Sequence, residues 1–311
     1  MEPSRAPSRA RRRRVPSLYL ALAAVTVVGG TAAGTVYVQE RDAPLASVSS
    51  SSSPVVVAAS EEASVEPVTL PTVDPEERLA EAMESVRVAE GARVSVAVLD
   101  VGSGASAAYG EASFVTASIV KVDVLAALLL RAQDEGRALT SAEKAYATAM
   151  IERSDNDSAS ALWETVGRAE GLAAANERLG LTDTEGGDGM LWGLTRTTAA
   201  DQLRLLGQVF GAESELSAAS RAYLQGLMGK VVEDQRWGVS TVADGSACAL
   251  KNGWLPRSTT GLWVINSVGR VTVDGREFLV AALSDGNATK EDGVALVEAA
   301  AKAAVSVFAR E

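Results

Sequence analysis

The apolar positions of the chain fall into three regimes. From Leu18 to Val38 they run almost without a break, and no charge interrupts Val15 to Gln39. As a helix rising about 1.5 Å per residue, that run reaches roughly 30 Å, the thickness of a bilayer core. From residue 40 to 73 the large apolar residues thin out into Ser, Pro, Val and Ala, with an unbroken Ser run from Ser49 to Ser53. Such a stretch predicts a flexible spacer. From Asp74 onward the apolar residues become periodic, and a folded body is expected.

Within that body the period changes twice. Asp74-Pro75-Glu76-Glu77 is a helix start, and Leu79, Met83 and Val86 supply its apolar stripe before Gly91. Arg93 to Val101 alternates as a strand, and Ala105 to Tyr109 returns after a Gly-rich turn. A helical section follows: a helix opened by Ser118, then Ser141 to Ile151, Ser158 to Val166, Leu172 to Leu179, Thr198 to Phe210 and Ser217 to Leu227. Strand patterns resume at Ser246 to Lys251, Gly261 to Val268 and Arg276 to Leu283, the last two joined by the hairpin signal Asp274-Gly275. Asp292 to Phe308 reads as a closing helix.

Strands joined by short turns pair antiparallel. The expectation is an α+β fold: a five-stranded antiparallel sheet flanked by the N- and C-terminal helices, with an all-helical subdomain inserted. The sheet part is expected at 74–112 and 229–311, the insert at 113–228, and a small-molecule cleft between them.

Charge sharpens the picture of the N-terminus. Seven Arg against two Glu make the first 41 residues +5 within a net charge of −11, so the remainder carries −16. Arg11 to Arg14 precede the apolar run. A basic head (1–14) of this kind stays cytoplasmic, which makes 15–39 a transmembrane signal anchor and exports the rest. A cleaved signal peptide, with Ala32-Ala33-Gly34 as its small-residue site, is the rival expectation. The acidic body argues against a nucleic-acid partner. The chain has no His and one Cys. That removes a Ser-His-Asp triad, His-ligated zinc, Cys-rich metal sites and an internal disulfide. No cofactor or metal is expected, and acid–base work falls to Lys, Asp, Glu, Tyr or Ser.

The candidate nucleophile is Ser118. It opens a helix, where unpaired N–H groups gather, and Lys121 lies one turn on along the same face. A buried Lys that loses its charge is a base for a Ser hydroxyl. A second Ser-x-x-Lys, Ser141 to Lys144, reads instead as a helix start, because Thr140 or Ser141 with Glu143 makes a cap. Ser154-Asp155-Asn156 stands at a helix junction, where Asn156 or Asp157 would serve as an ordinary N-cap. Lys251-Asn252-Gly253-Trp254 stands at the end of a strand, where a Lys guards an edge or holds a carboxylate.

Ser-x-x-Lys, then Ser-Asp-Asn, then Lys-x-Gly is the ordered motif set of class A β-lactamases and penicillin-binding proteins. From about residue 75 onward the chain resembles the class A β-lactamase-like branch of the penicillin-binding serine hydrolases. The resemblance implies an acyl-enzyme at Ser118, formed with a β-lactam or a peptidoglycan peptide. Lys121 would activate the hydroxyl, and Ser154 would pass a proton to the leaving nitrogen. Asn156 would bind a substrate amide. Lys251 would add positive potential and, with the Asn252-Gly253-Trp254 strand, dock the substrate. The N–H groups of Ser118 and Trp254 would form the oxyanion hole.

Two departures matter. The loop Glu that activates the deacylating water in class A enzymes, followed three residues on by Leu-Asn, is missing. Glu185 or Asp188 would have to replace it, or deacylation slows. Asn252 stands where the family motif has Thr, so Arg236 or Arg257 is the candidate for a substrate carboxylate. A β-lactam-binding sensor and a D-Ala-D-Ala peptidase are the alternative functions.

Overall fold

The computed structural model describes residues 74–245 and 248–309. The expected head, anchor and spacer lie outside the described residues. Among those described, no helix is long and apolar enough to cross a membrane.

Helix α1 (Pro75–Glu84) starts where Asp74 accepts the Glu76 N–H at 3.0 Å. Strands β1 (Arg93–Asp100) and β2 (Ser106–Tyr109) form a hairpin. A short strand β3 (Phe114–Val115) then leads into a 3-10 turn, Ala117–Ile119, and helix α2 (Val120–Asp134). Next come α3 (Ser141–Glu152), α4 (Asn156–Val166), α5 (Arg168–Leu179), strand β4 (Arg196–Thr197), α6 (Ala199–Phe210) and α7 (Ala218–Met228). Strands β5 (Ala249–Pro256), β6 (Trp263–Val273) and β7 (Arg276–Asn287) and helix α8 (Lys290–Ser306) complete the order.

The main sheet has five antiparallel strands in the order β2-β1-β7-β6-β5. Central β7 reads as an unbroken apolar run because both its faces are buried. Leu279, Ala281 and Leu283 join a core with α2 to α7, and Phe278, Val280 and Ala282 join one with α1 and α8. The β6–β7 hairpin turns through Asp274 and Gly275, both at positive φ (50° and 72°). Thr140 and Glu143 form a reciprocal capping box on α3, so the second Ser-x-x-Lys lies in a helix start.

Three local expectations are corrected. Strand β5 does not end at Lys251 but runs on to Pro256, because Asn252 to Pro256 pair with β6. Strands β3 and β4 pair as a two-stranded sheet that no periodicity foretold, since two residues are too few to alternate. The N-cap of α4 is Asp155, which accepts the Ser158 N–H at 2.8 Å, so the Asn156 side chain is not the cap.

Candidate active site

The turn that carries Ser118 is held from two sides. Strand β3 pairs with β4, and the Thr116 N–H donates to the Thr195 carbonyl at 2.8 Å. Asn266, fully buried in β6, donates its amide to the carbonyls of Val115 and Thr116 at 2.8 and 2.9 Å. Between these anchors Ala117 takes φ 48°, a left-handed conformation uncommon for a residue with a Cβ. The chain thereby turns sharply from strand to helix and presents Ser118 at the bend. The Ser118 hydroxyl is part-exposed and makes no hydrogen bond to a described residue. Sequence reading missed Asn266, although a polar side chain inside the apolar run Val264-Ile265-Asn266-Ser267-Val268 was the available signal.

Strand β5 presses against this bend. A Cβ on Gly253 would sit 2.7 Å from the Thr116 carbonyl, 2.8 Å from the Ser118 nitrogen and 2.9 Å from the Ile119 nitrogen. Only Gly allows that approach. Because β5 is the edge strand, half of its backbone groups stay outside the ladder. Alternation puts Lys251 and Gly253 on the face toward the bend, and Asn252 and Trp254 on the other. The buried Asn252 amide donates to the carbonyls of Gln235 and Trp237 at 2.8 and 2.9 Å. Trp254 packs edge-on to Trp237 at 6.0 Å, with Lys290 Nζ 4.9 Å above its ring. What Asn252 and Trp254 offer the cleft is backbone.

Lys121 is 0% exposed. Its Nζ donates to Ser154 O at 2.7 Å, Ser154 Oγ at 3.0 Å and Asn156 Oδ1 at 2.8 Å. Lys251, also 0% exposed, donates to the same Ser154 Oγ at 3.0 Å and to the Asn252 carbonyl at 2.9 Å. Ser154 reaches both from a left-handed bend, φ 57°, between α3 and α4. Burial pushes the Lys121 ammonium down to about 7, against a smaller upward pull from Asp155. Burial, and then the nearby charge of Lys121, hold Lys251 well below the usual lysine range. Segments of the chain near 118, 154 and 251 thus meet around one hydroxyl.

The loop between α5 and β4 presents Trp192, whose ring centroid lies 4.9 Å from Lys121 Nζ. Its indole N–H donates to Ser160 Oγ at 3.1 Å. Trp163 Nε1 bonds the Gly189 carbonyl at 2.8 Å, and the Gly187 N–H bonds Thr195 Oγ1 at 3.2 Å. Glu185 joins the loop to Arg196 through backbone bonds at 2.9 and 2.8 Å. The carboxylates of Glu185 and Asp188 are exposed and make no hydrogen bond or ion pair with a described residue. Arg236 is exposed and bonds back to the Gly229 carbonyl at 3.1 Å. Arg257 sits in the β5–β6 turn, half-buried. Among the described residues no three His, Cys, Asp or Glu side chains gather as metal ligands.

This arrangement suits nucleophilic chemistry: an unencumbered hydroxyl at a strained bend, an amine of lowered basicity one turn away, and a shared proton carrier. The family model described as the beta-lactamase enzyme family matches residues 140–308, more than half of the chain. The chain belongs to the beta-lactamase enzyme family. The match includes Ser154, Asn156 and Lys251 and begins after Ser118 and Lys121. Solved structures of this fold match about three quarters of the chain. The TLA-1 extended-spectrum beta-lactamase superposes with a TM-score of 0.65 at 18% identity, over 76% of this chain and 98% of its own. A class A beta-lactamase from Bacteroides cellulosilyticus gives 0.64 at 17%, over 76% and 99%. PBP-A gives 0.64 at 20%, over 75% and 96%. At these identities the likeness is one of fold. No curated protein matches the chain.

Proposed function

We propose that the protein is a serine acyl-hydrolase that forms an acyl-enzyme at Ser118 with β-lactams or related cell-wall amides and releases it slowly. The single observation that carries this reading is the pair of lysines on Ser154 Oγ, each 3.0 Å away. Neutral Lys121 takes the Ser118 proton as Oγ bonds to the substrate carbonyl carbon. The oxyanion faces the Ser118 N–H and an edge-strand N–H of β5 at Trp254. As the C–N bond breaks, the proton moves from Lys121 through Ser154 to the leaving nitrogen. When Lys251 holds a proton, its charge on the same Ser154 Oγ opposes a proton resting on Lys121.

Slow release has its own support. Class A deacylation needs a loop carboxylate near the Lys. Here an indole covers Lys121, while Glu185 and Asp188 are exposed and without partners among the described residues. That favours a second reading, in which the acyl-enzyme persists and the protein acts as a β-lactam or peptidoglycan sensor. A variant of PBP-A is known as an acyl-enzyme complex with penicillin G. A D-Ala-D-Ala peptidase would use the same acylation step with a peptide.

Intact-mass measurements with penicillin over time separate these. An adduct that forms and decays supports the hydrolase, a persistent one supports the sensor, and none beyond a Ser118→Ala control ends both. The N-terminal run from Leu18 to Val38 supports a membrane-tethered, extracytoplasmic placement. Recovery of the mature protein free in the medium, starting near Thr35, would replace the anchor with a cleaved signal.

A further inference from the structure

Beside the Ser118 bend lies a cavity of about 290 Å³ that no step of the reaction above uses. Its walls come from the bend and from the far end of β5. Val115 borders it three residues before Ser118, and Arg196, opposite Val115 in the β3–β4 pair, borders it from the loop side. Arg257, Thr259 and Leu262 close it from the β5–β6 turn. Two of these residues are cations without an acid, although Asp and Glu outnumber Lys and Arg 40 to 29 in the chain. Arg196 Nη2 donates to the Ser113 carbonyl at 2.8 Å, and its guanidinium meets no carboxylate among the described residues. The half-buried Arg257 guanidinium makes no hydrogen bond or ion pair with a described residue. Asp285 also borders the cavity, but Arg93 holds both its oxygens, with Nε at 2.9 Å.

The direction in which a substrate lies decides what reaches those charges. Ser154 passes the proton to the leaving nitrogen, and Ser154 Oγ sits 3.0 Å from Lys251 Nζ. The leaving group therefore lies toward the Lys251 end of β5, and the acyl part runs the other way, past Trp254 toward Pro256. As an edge strand, β5 has unpaired backbone groups along which an extended chain can lie. The ladder continues past Pro256, where the Arg257 N–H bonds the Leu262 carbonyl at 2.8 Å. Arg257 follows Trp254 by three residues, which is about 10 Å along a strand. A guanidinium meets a carboxylate with two parallel N–H donors, and an aliphatic stem suits the Val115 and Leu262 walls.

We propose that Arg257 and Arg196 form a subsite for a carboxylate on the acyl side of the substrate. The preferred substrates are then β-lactams or cell-wall peptides whose acyl part carries a carboxylate about 10 Å from the scissile carbonyl. The two arginines bind and orient that part and touch no reacting atom. The assignment to the acyl side rests on the reading of Ser118 as nucleophile and Ser154 as proton carrier; the capacity of the cavity for a carboxylate does not.

The test compares adipoyl penicillin, whose side chain ends in a carboxylate, with its terminal amide, both on the full chain. At low salt, kcat/KM for adduct formation is expected to be on the order of tenfold higher with the carboxylate, and the gain to lie in KM. The acid-to-amide ratio is expected to shrink with added salt and to fall to about one in Arg257→Gln combined with Arg196→Gln. Each variant's rate with the amide is its own reference, so a general loss of activity cancels. Should the variant fail to fold, the wild-type ratio and its salt dependence still decide. Calorimetric titration of Ser118→Ala with both compounds reads the subsite without acylation. Tighter binding of the acid there, with no adduct in the wild type, would sink Ser118 as the nucleophile and leave the subsite standing. Adducts that form equally fast from acid and amide, or equal binding to Ser118→Ala, overturn the proposal, as does a preference that survives loss of both arginines. Free adipate binding as tightly as adipoyl penicillin would make the cavity a site for loose anions and overturn its link to the substrate.

Discussion

Lys121 and Lys251 come from segments 130 residues apart in the chain and donate to a single acceptor, Ser154 Oγ, each at 3.0 Å. Two ammonium groups that close repel, and both are buried. The arrangement is tolerable only if the pair spends much of its time with fewer than two protons. That shortage is what makes a base available at neutral pH.

The acylation rate therefore follows the Lys121 proton. A base works when deprotonated, so kcat/KM for adduct formation is expected to rise with pH and level off above about 7. A rate that is flat from mildly acidic pH to neutrality would show that Lys121 is not the base.

Trp192 contributes to the burial that lowers Lys121. Trp192→Ala admits water, so the midpoint of that rise is expected to move above about 7 and the adduct to shorten its life. An unchanged midpoint and unchanged lifetime would show that the indole is only packing.

Lys121→Met is expected to abolish acylation and yet raise the melting temperature. The sign follows from the depressed pKa. Below about 7 the folded protein must carry a proton that its interior disfavours, while the unfolded chain takes it freely. That cost is present in full at acidic pH, shrinks as pH rises from about 7 toward the ordinary lysine range, and vanishes in the Met variant. The gain is net of the three acceptors that Nζ leaves, which sit on part-exposed Ser154 and exposed Asn156, where water replaces the lost donor. Thermal melts at mildly acidic pH measure it, and a lower melting temperature than wild type would contradict it.

Gly253→Ala forces β5 and the Ser118 bend apart, because its Cβ would lie under 3.0 Å from three backbone atoms. Displacement of the reacting groups by about 1 Å costs roughly 100-fold in rate. Acylation measured beside a melting curve separates this from unfolding: a folded variant that acylates at the wild-type rate would remove Gly253 from the site.

Asn266→Leu leaves the Val115 and Thr116 carbonyls buried without their donor. The expected loss is about 1–3 kcal/mol per stranded group, read by urea denaturation, together with slower acylation. Full stability would mean that the clamp is replaceable.

The order of elements and the five strands of the main sheet were legible in the chain, and Ser118, Lys121, Ser154 and Lys251 stood out as candidates, because each depends on local pattern or on a motif in fixed order. The periodicity also marked which faces are buried, as on α8 with Val297, Ala300, Ala301 and Ala304. Tertiary structure alone decided the rest. The low basicity of Lys121 comes from desolvation by segments far away in sequence. The inward face of β5 follows from where its edge meets the Ser118 bend, and this turns the Asn252 amide away. The seat of Trp192 and the clamp of Asn266 depend on which groups distant segments bring near. Sequence specifies what each residue can do; the dielectric around it, and so its protonation, exists only once the chain has closed over it.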